Sequence, residues 1–179
     1  MTAPVNPTHA PQAPRITQPS AAFMVQHPAR VIALGFGSGL SPLGPGTVGS
    51  LWGWVSWLLI QYHFSIAVQA SFIVLGLLLG WWACTKTSQH MGVSDPGAVV
   101  WDEIVAIWLV LFFIAPSGWG EQVFAVILFR FFDVVKPGPV AWADRSFKGF
   151  GWRGGFGIMF DDLLAAFCTL LVFSFWRLV

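Results

Sequence analysis

Five carboxylates stand in apolar surroundings: Asp102 and Glu103 in VVWDEIVAIW, Asp133 in FRFFDVV, and Asp161 and Asp162 in GIMFDDLLAAF. Arg130 and Lys136 lie three residues either side of Asp133, roughly along one helix face. Ionisable groups inside apolar segments are expensive and usually mark a site. The chemistry this set suits is phosphate chemistry around a hard divalent cation such as Mg²⁺. Such a cation takes oxygen ligands, one or two carboxylates together with waters and substrate phosphate. All five acids are candidate metal ligands, and Asp102, Glu103, Asp133 and Asp162 are candidate catalytic groups. Arg130 and Lys136 are candidate phosphate binders, since a guanidinium grips phosphate in a bidentate way. A plainer reading has the acids pair with Arg130 and Lys136 to hold helices together. That accounts for one or two acids, but poorly for two adjacent pairs. Spacing does not choose the ligand within each pair.

A second element is the loop GFGSGLSPLGPGTVGS, residues 35–50, with six glycines and two prolines in sixteen residues. It offers backbone N–H groups and the hydroxyls of Ser38, Ser41 and Thr47 to a phosphate. It matches neither a Walker loop nor a dinucleotide fingerprint, and a tight packing loop is an equal alternative. Arg145 is a further candidate phosphate contact, and with Lys148 and Arg153 it suits anionic headgroups. Neither cysteine has the phosphate-loop arginine of a cysteine phosphatase, no D-x-D nucleophile motif is present, and the four histidines lack metal spacing.

These groups need scaffolding, and composition says what kind. The chain has 179 residues, 56% hydrophobic and only 9% charged, where about 25% charged is usual. Between Arg30 and Lys86 run 55 residues without a formal charge. A soluble domain of this size cannot hide that much apolar surface. The expected class is an all-α, polytopic helical membrane protein with about five apolar helices, a Gly-rich loop and a polar site at the cytoplasmic face. Eleven tryptophans suit membrane interfaces. The net charge of +1 gives no case for nucleic acid. Cys84 and Cys168 are expected to be reduced thiols.

Residues 1–28 hold six of the twelve prolines and read as a disordered tail, with residues 29–179 as the membrane domain. Apolar spans are expected over about 48–62, 64–84, 99–116, 122–135 and 158–176. Thr47 is a plausible N-cap for the first. Pro137 and Pro139 end the fourth, 141–148 suits a short interfacial helix, and 149–157, with five glycines in nine residues, reads as a loop. Hairpin connections then put nearly all basic residues, and all acids except Glu121, on one side. The positive-inside rule makes that side cytoplasmic. Counting from Gln122, Arg130 and Asp133 fall near the middle of the hydrocarbon core.

Four segments in order, GFGSGLSPLGPGTVGS, VVWDEIVAIW, FRFFDVVKPGPVAWADR and GGFGIMFDDLLAAF, make residues 28–176 resemble phosphatidylglycerophosphatase A. That family comprises bacterial membrane enzymes that remove the terminal phosphate of phosphatidylglycerophosphate. The chain departs from the expected pattern at KPGP, where KPWP is expected, and at Ala106, where Gly is expected. The resemblance implies Mg²⁺ dependence, an inner-membrane location with the site facing the cytoplasm, and phosphatidylglycerophosphate in the bilayer as substrate. It also implies Asp102, Glu103, Asp133, Asp161 and Asp162 as the working acids and Arg130 and Lys136 as phosphate binders. Either a water or an aspartate attacks the phosphorus. The alternatives are a lipid headgroup phosphotransferase, which needs a longer aspartate array, and a small divalent-cation transporter, which needs acids accessible from both sides.

Overall fold

The computed structural model describes residues 15–178. Among these the secondary structure is helical throughout, with no strand. The order is α1 (Ala21–Val25), α2 (Pro28–Ala33), a 3₁₀ segment (Gly35–Leu40), α3 (Pro45–His63), α4 (Ile66–Met91), α5 (Trp101–Ile114), α6 (Trp119–Val135), α7 (Gly138–Ser146) and α8 (Trp152–Leu178). The expectation of an all-α fold is met.

α5 is the centre. Its sequence is apolar on every face, so it has no solvent stripe and is buried almost throughout. α3, α4 and α8 pack around it, and α6 and α7 lie on α8. Three of the tryptophans expected at interfaces are buried here: Trp57, Trp101 and Trp108. The Trp101 indole donates to the Gly76 carbonyl at 2.9 Å, and that of Trp108 to the Gly53 carbonyl at 3.1 Å and Ser56 Oγ at 2.9 Å. The indole polar handle thus stitches neighbouring helices in an apolar core.

Two helices, α4 and α8, are long and apolar enough to cross a membrane. About five were expected. α5, with 14 residues, and α6, with 17, reach only about 21 Å and 26 Å, short of a hydrocarbon core of about 30 Å. Large apolar side chains are exposed along α3, α4, α6 and α8, including Leu59, Leu78, Ile127 and Phe175. Surface of that extent needs an apolar environment or partner.

Helix ends differ from the sequence expectation at four places. The first fourteen residues of the expected tail lie outside the described residues. The rest of it carries α1, capped by Ser20 Oγ, and the Ile16 N–H donates to the Met91 carbonyl at 2.8 Å. Thr47 is not the N-cap of α3. That place is taken by Gly44 in the left-handed region at φ 55°, followed by Pro45, whose missing N–H costs nothing in a first turn. α4 continues to Met91 and stops at Gly92, again left-handed. α8 starts at Trp152, six residues before the expected Ile158. Glycines 154, 155 and 157 are there for close packing rather than for a loop. A Cβ on Gly155 would lie 2.8 Å from both Cα and Cβ of Thr85 on α4. Both cysteines are free thiols, as expected.

Gly155→Ala is therefore expected to destabilise the protein by about 1–3 kcal/mol through overpacking. Gly120→Ala, in the first turn of α6 with nothing within 4 Å of the new methyl, should be neutral or slightly stabilising. Thermal unfolding in detergent checks the contrast, and equal melting temperatures for the two variants would contradict it.

Candidate functional site

The N-terminus of α5 brings the first two acids in. The Val100 N–H donates to the Ala33 carbonyl at 2.9 Å, which fixes α5 against α2. Asp102 and Glu103 follow in the first turn, where a helix favours negative charge. Asp162 arrives from α8, about 15 Å along that helix from Trp152. One oxygen from each of Asp102, Glu103 and Asp162 lies within 4.8 Å of the others. Asp162 is only 3% exposed and Asp102 9%. Asp102 Oδ1, Glu103 Oε2 and Asp162 Oδ2 are buried without a hydrogen-bond partner.

Burying one unpartnered carboxylate oxygen costs free energy, and gathering three adds mutual repulsion. A divalent cation answers both costs. Oxygens bound at about 2.1 Å to one Mg²⁺ lie at most about 4.2 Å apart, so the observed grouping needs only a small contraction. The donor set, all carboxylate, is that of a hard cation.

Basic groups lie on one flank. Arg130 Nη1 is 3.6 Å from Glu103 Oε1 and pairs with Asp133 one turn further along α6. The first turn of α3 closes over them. A Cβ on Gly46 would overlap the Glu103 carboxylate and lie 3.1 and 3.3 Å from the two Arg130 Nη atoms. The backbone start of α3, with its unsatisfied N–H groups, thus stands directly against the acids and Arg130. Asp133 sits about 3 Å from the C-terminal end of α6.

A second charged group adjoins the first. Lys136 ends α6 in the left-handed conformation, φ 47°, unusual for a residue with a side chain. Its ammonium pairs with Asp161 of α8 and, at 3.0 Å, with Asp144 of α7, which also takes Lys148 at 3.0 Å. Burial would raise the Asp144 carboxyl, but hydrogen bonds from Lys136 and Lys148 hold it below the usual carboxylate range. A narrow cleft of about 10 Å³ opens beside Asp144 and Asp161.

The sequence-predicted residues therefore divide. Asp102, Glu103 and Asp162 converge. Asp133 turns to Arg130, and Asp161, about 100° round α8 from Asp162, turns to Lys136. Among the described residues no hydrogen bond joins the other four proposed phosphate contacts to these acids. Ser38 Oγ donates to the Gly35 carbonyl and Ser41 Oγ to the Leu43 carbonyl, both at 2.9 Å. Thr47 is exposed on the first turn of α3. Arg145 is exposed, its Nε donating to the Ala141 carbonyl of its own helix at 3.0 Å. What the Gly-rich loop contributes at the site is backbone, at Gly46. Asp144 was missed; its only signal is the i, i+4 spacing to Lys148.

The family model described as Phosphatidylglycerophosphatase A matches residues 31–177. The chain belongs to the phosphatidylglycerophosphatase A family. It is 40% identical over 155 residues to the phosphatidylglycerophosphatase A of Haemophilus influenzae, covering 85% of this chain and 92% of that one. It is 37% identical over 141 residues to the Escherichia coli protein of the same name, covering 79% and 78%. It is also 36% identical over 155 residues to a putative phosphatidylinositol-3-phosphatase of Bacteroides thetaiotaomicron, covering 83% and 93%. No solved structure matches the chain.

If the three orphan oxygens crowd against each other until a cation is present, Asp162→Asn should raise the melting temperature in chelator. Added Mg²⁺ or Mn²⁺ should raise that of the parent chain and leave that of the variant unmoved. A parent chain whose melting temperature ignores divalent cations would contradict this reading of the cluster.

Proposed function

We propose that the protein is a Mg²⁺-dependent lipid phosphatase that hydrolyses the terminal phosphate monoester of phosphatidylglycerophosphate, giving phosphatidylglycerol and phosphate. The observation that carries this reading is the set of three unpartnered, buried carboxylate oxygens directly beside Arg130. Family membership and the names of the relatives supply the substrate.

Asp102, Glu103 and Asp162 would hold the ion, with Asp133 on its Arg130 side. The ion supplies neutralisation of charge on the phosphoryl oxygens. Arg130 presents five N–H donors; those not facing Glu103 and Asp133 are left for phosphate oxygens. The N–H groups at the start of α3, around Gly46, add donors whose helix end favours an anion. A water oriented by one of the carboxylates attacks phosphorus in line. The P–O bond to the glycerol breaks as the new one forms, and the glycerol oxygen leaves with a proton. The buried surroundings strengthen each of these interactions relative to bulk water.

The helices cross the bilayer as one bundle of five. α4 and α8 span it by themselves, and the shorter α3, α5 and α6 complete the bundle, α5 enclosed by its neighbours. Glu121 and Arg177, paired at 3.1 Å, mark the end away from the acids. The basic residues cluster at the acid end, which supports a site facing the cytoplasm from the inner membrane. A transporter would need acids at both ends, and Glu121 is already paired with Arg177. The name of the Bacteroides relative favours acceptance of other lipid phosphate monoesters by the same site.

Purified protein should release phosphate from phosphatidylglycerophosphate with Mg²⁺ and not in chelator. Arg130→Ala should lower kcat/KM about a hundredfold or more, as loss of a charge-stabilising donor does, while Asp162→Asn should abolish turnover at unchanged expression. No phosphate release with metal present would sink the proposal, and full turnover by Asp162→Asn would remove Asp162 from the site.

A further inference from the structure

Lys136 stands out in this structure because its ammonium is already committed. Two of its three donors face carboxylates on two other helices, Asp161 on α8 and Asp144 on α7. Its backbone closes α6, the N–H donating to the Phe132 carbonyl at 2.9 Å. One residue thus ties α6, α7 and α8 together. The left-handed turn at φ 47° aims the side chain across the gap rather than back along α6.

Asp161 is the residue next to Asp162 in α8. Adjacent helical residues are rigidly about 100° apart, so pinning Asp161 sets the rotation of α8 and with it the direction of Asp162. Asp144 completes the pin. It is half-buried, takes Lys136 from one side and Lys148 from the other, and keeps its charge because those two cations hold it ionised. Without Asp144 the Lys136 ammonium loses its second anchor, and Asp161 alone must hold it.

We propose that Asp144 is a positioning residue for hydrolysis: acting through Lys136 and Asp161, it fixes the orientation in which Asp162 meets Asp102 and Glu103. This rests on the phosphatase reading above. Asp144 touches neither the acid triad nor Arg130, so its removal should slow the chemical step without weakening substrate binding. A headgroup contact would do the reverse.

The test is steady-state hydrolysis of phosphatidylglycerophosphate in mixed micelles by the full chain and by Asp144→Asn, Asp144→Glu and Lys148→Ala, with melting temperatures taken in parallel. Asp144→Asn should lower kcat about ten- to a hundredfold, the usual cost of losing a residue that orients a site group, with KM unchanged. Asp144→Glu, which can still reach Lys136, should recover most of that loss. Lys148→Ala should lower kcat less than Asp144→Asn does, since Lys136 and Asp144 remain paired. An Asp144→Asn variant with parental kcat overturns the proposal. So does one whose only change is a raised KM. A low melting temperature in Asp144→Asn, with no recovery of kcat in a stably folded Asp144→Glu, assigns Asp144 a purely structural role and overturns it too. An inactive parent chain would instead overturn the phosphatase reading, and this proposal with it.

Discussion

Negative charge concentrated in an apolar bundle is the constraint on which the rest of this structure depends. Three carboxylates from two helices meet within 4.8 Å, each with a buried oxygen that donates to nothing and accepts from nothing. Such an arrangement is destabilising as it stands, by burial and by like-charge repulsion. Proteins keep costly features of this sort where function requires them. The surrounding design reads as compensation. Arg130 faces Glu103 and Asp133 on one flank, Lys136 takes Asp161 and Asp144 on the other, and the start of α3 presents its positive end from above.

The helices are arranged to make that convergence possible. α5 delivers Asp102 and Glu103 at its first turn because α2 holds its start. α8 passes close to α4 through glycines, which lets Asp162 reach α5 from a long, otherwise apolar helix. α6 ends where its charged residues are needed, and the left-handed turn at Lys136 converts a helix terminus into a bridge. Among the described residues the far end holds a single salt bridge, Glu121–Arg177, so the charged groups are concentrated at one end of the bundle.

Much of this was legible in the sequence. Charges in apolar runs identified the acids and Arg130, since a buried ionisable group announces its cost in composition alone. The helical class followed from the long uncharged stretch. Other features were hidden because they depend on three-dimensional neighbours. Glycines 154, 155 and 157 look like a loop in one dimension, yet Gly155 lets α8 approach Thr85 of α4 while Gly154 and Gly157 pack against the turn at Phe147 and Gly149. Trp57, Trp101 and Trp108, which suit an interface by composition, fill the core instead, where the N–H groups of Trp101 and Trp108 find carbonyls. Which member of the Asp161–Asp162 pair joins the triad is a matter of helix rotation, invisible in spacing. Ser38 and Ser41 carry phosphate-binding chemistry by type, but local turns satisfy their hydroxyls. Asp144 sits in a polar stretch where one acid more attracts no notice, and only the fold shows that Lys136 reaches it.

Binding of Mn²⁺ followed by electron paramagnetic resonance tests the central claim most directly, because it reads the carboxylate cluster without relying on turnover. The account predicts one site per chain in the parent protein, lost or greatly weakened in each of Asp102→Asn, Glu103→Gln and Asp162→Asn, and retained in Asp144→Asn. Absence of bound Mn²⁺ in the parent chain, or equal binding in all three triad variants, would contradict it.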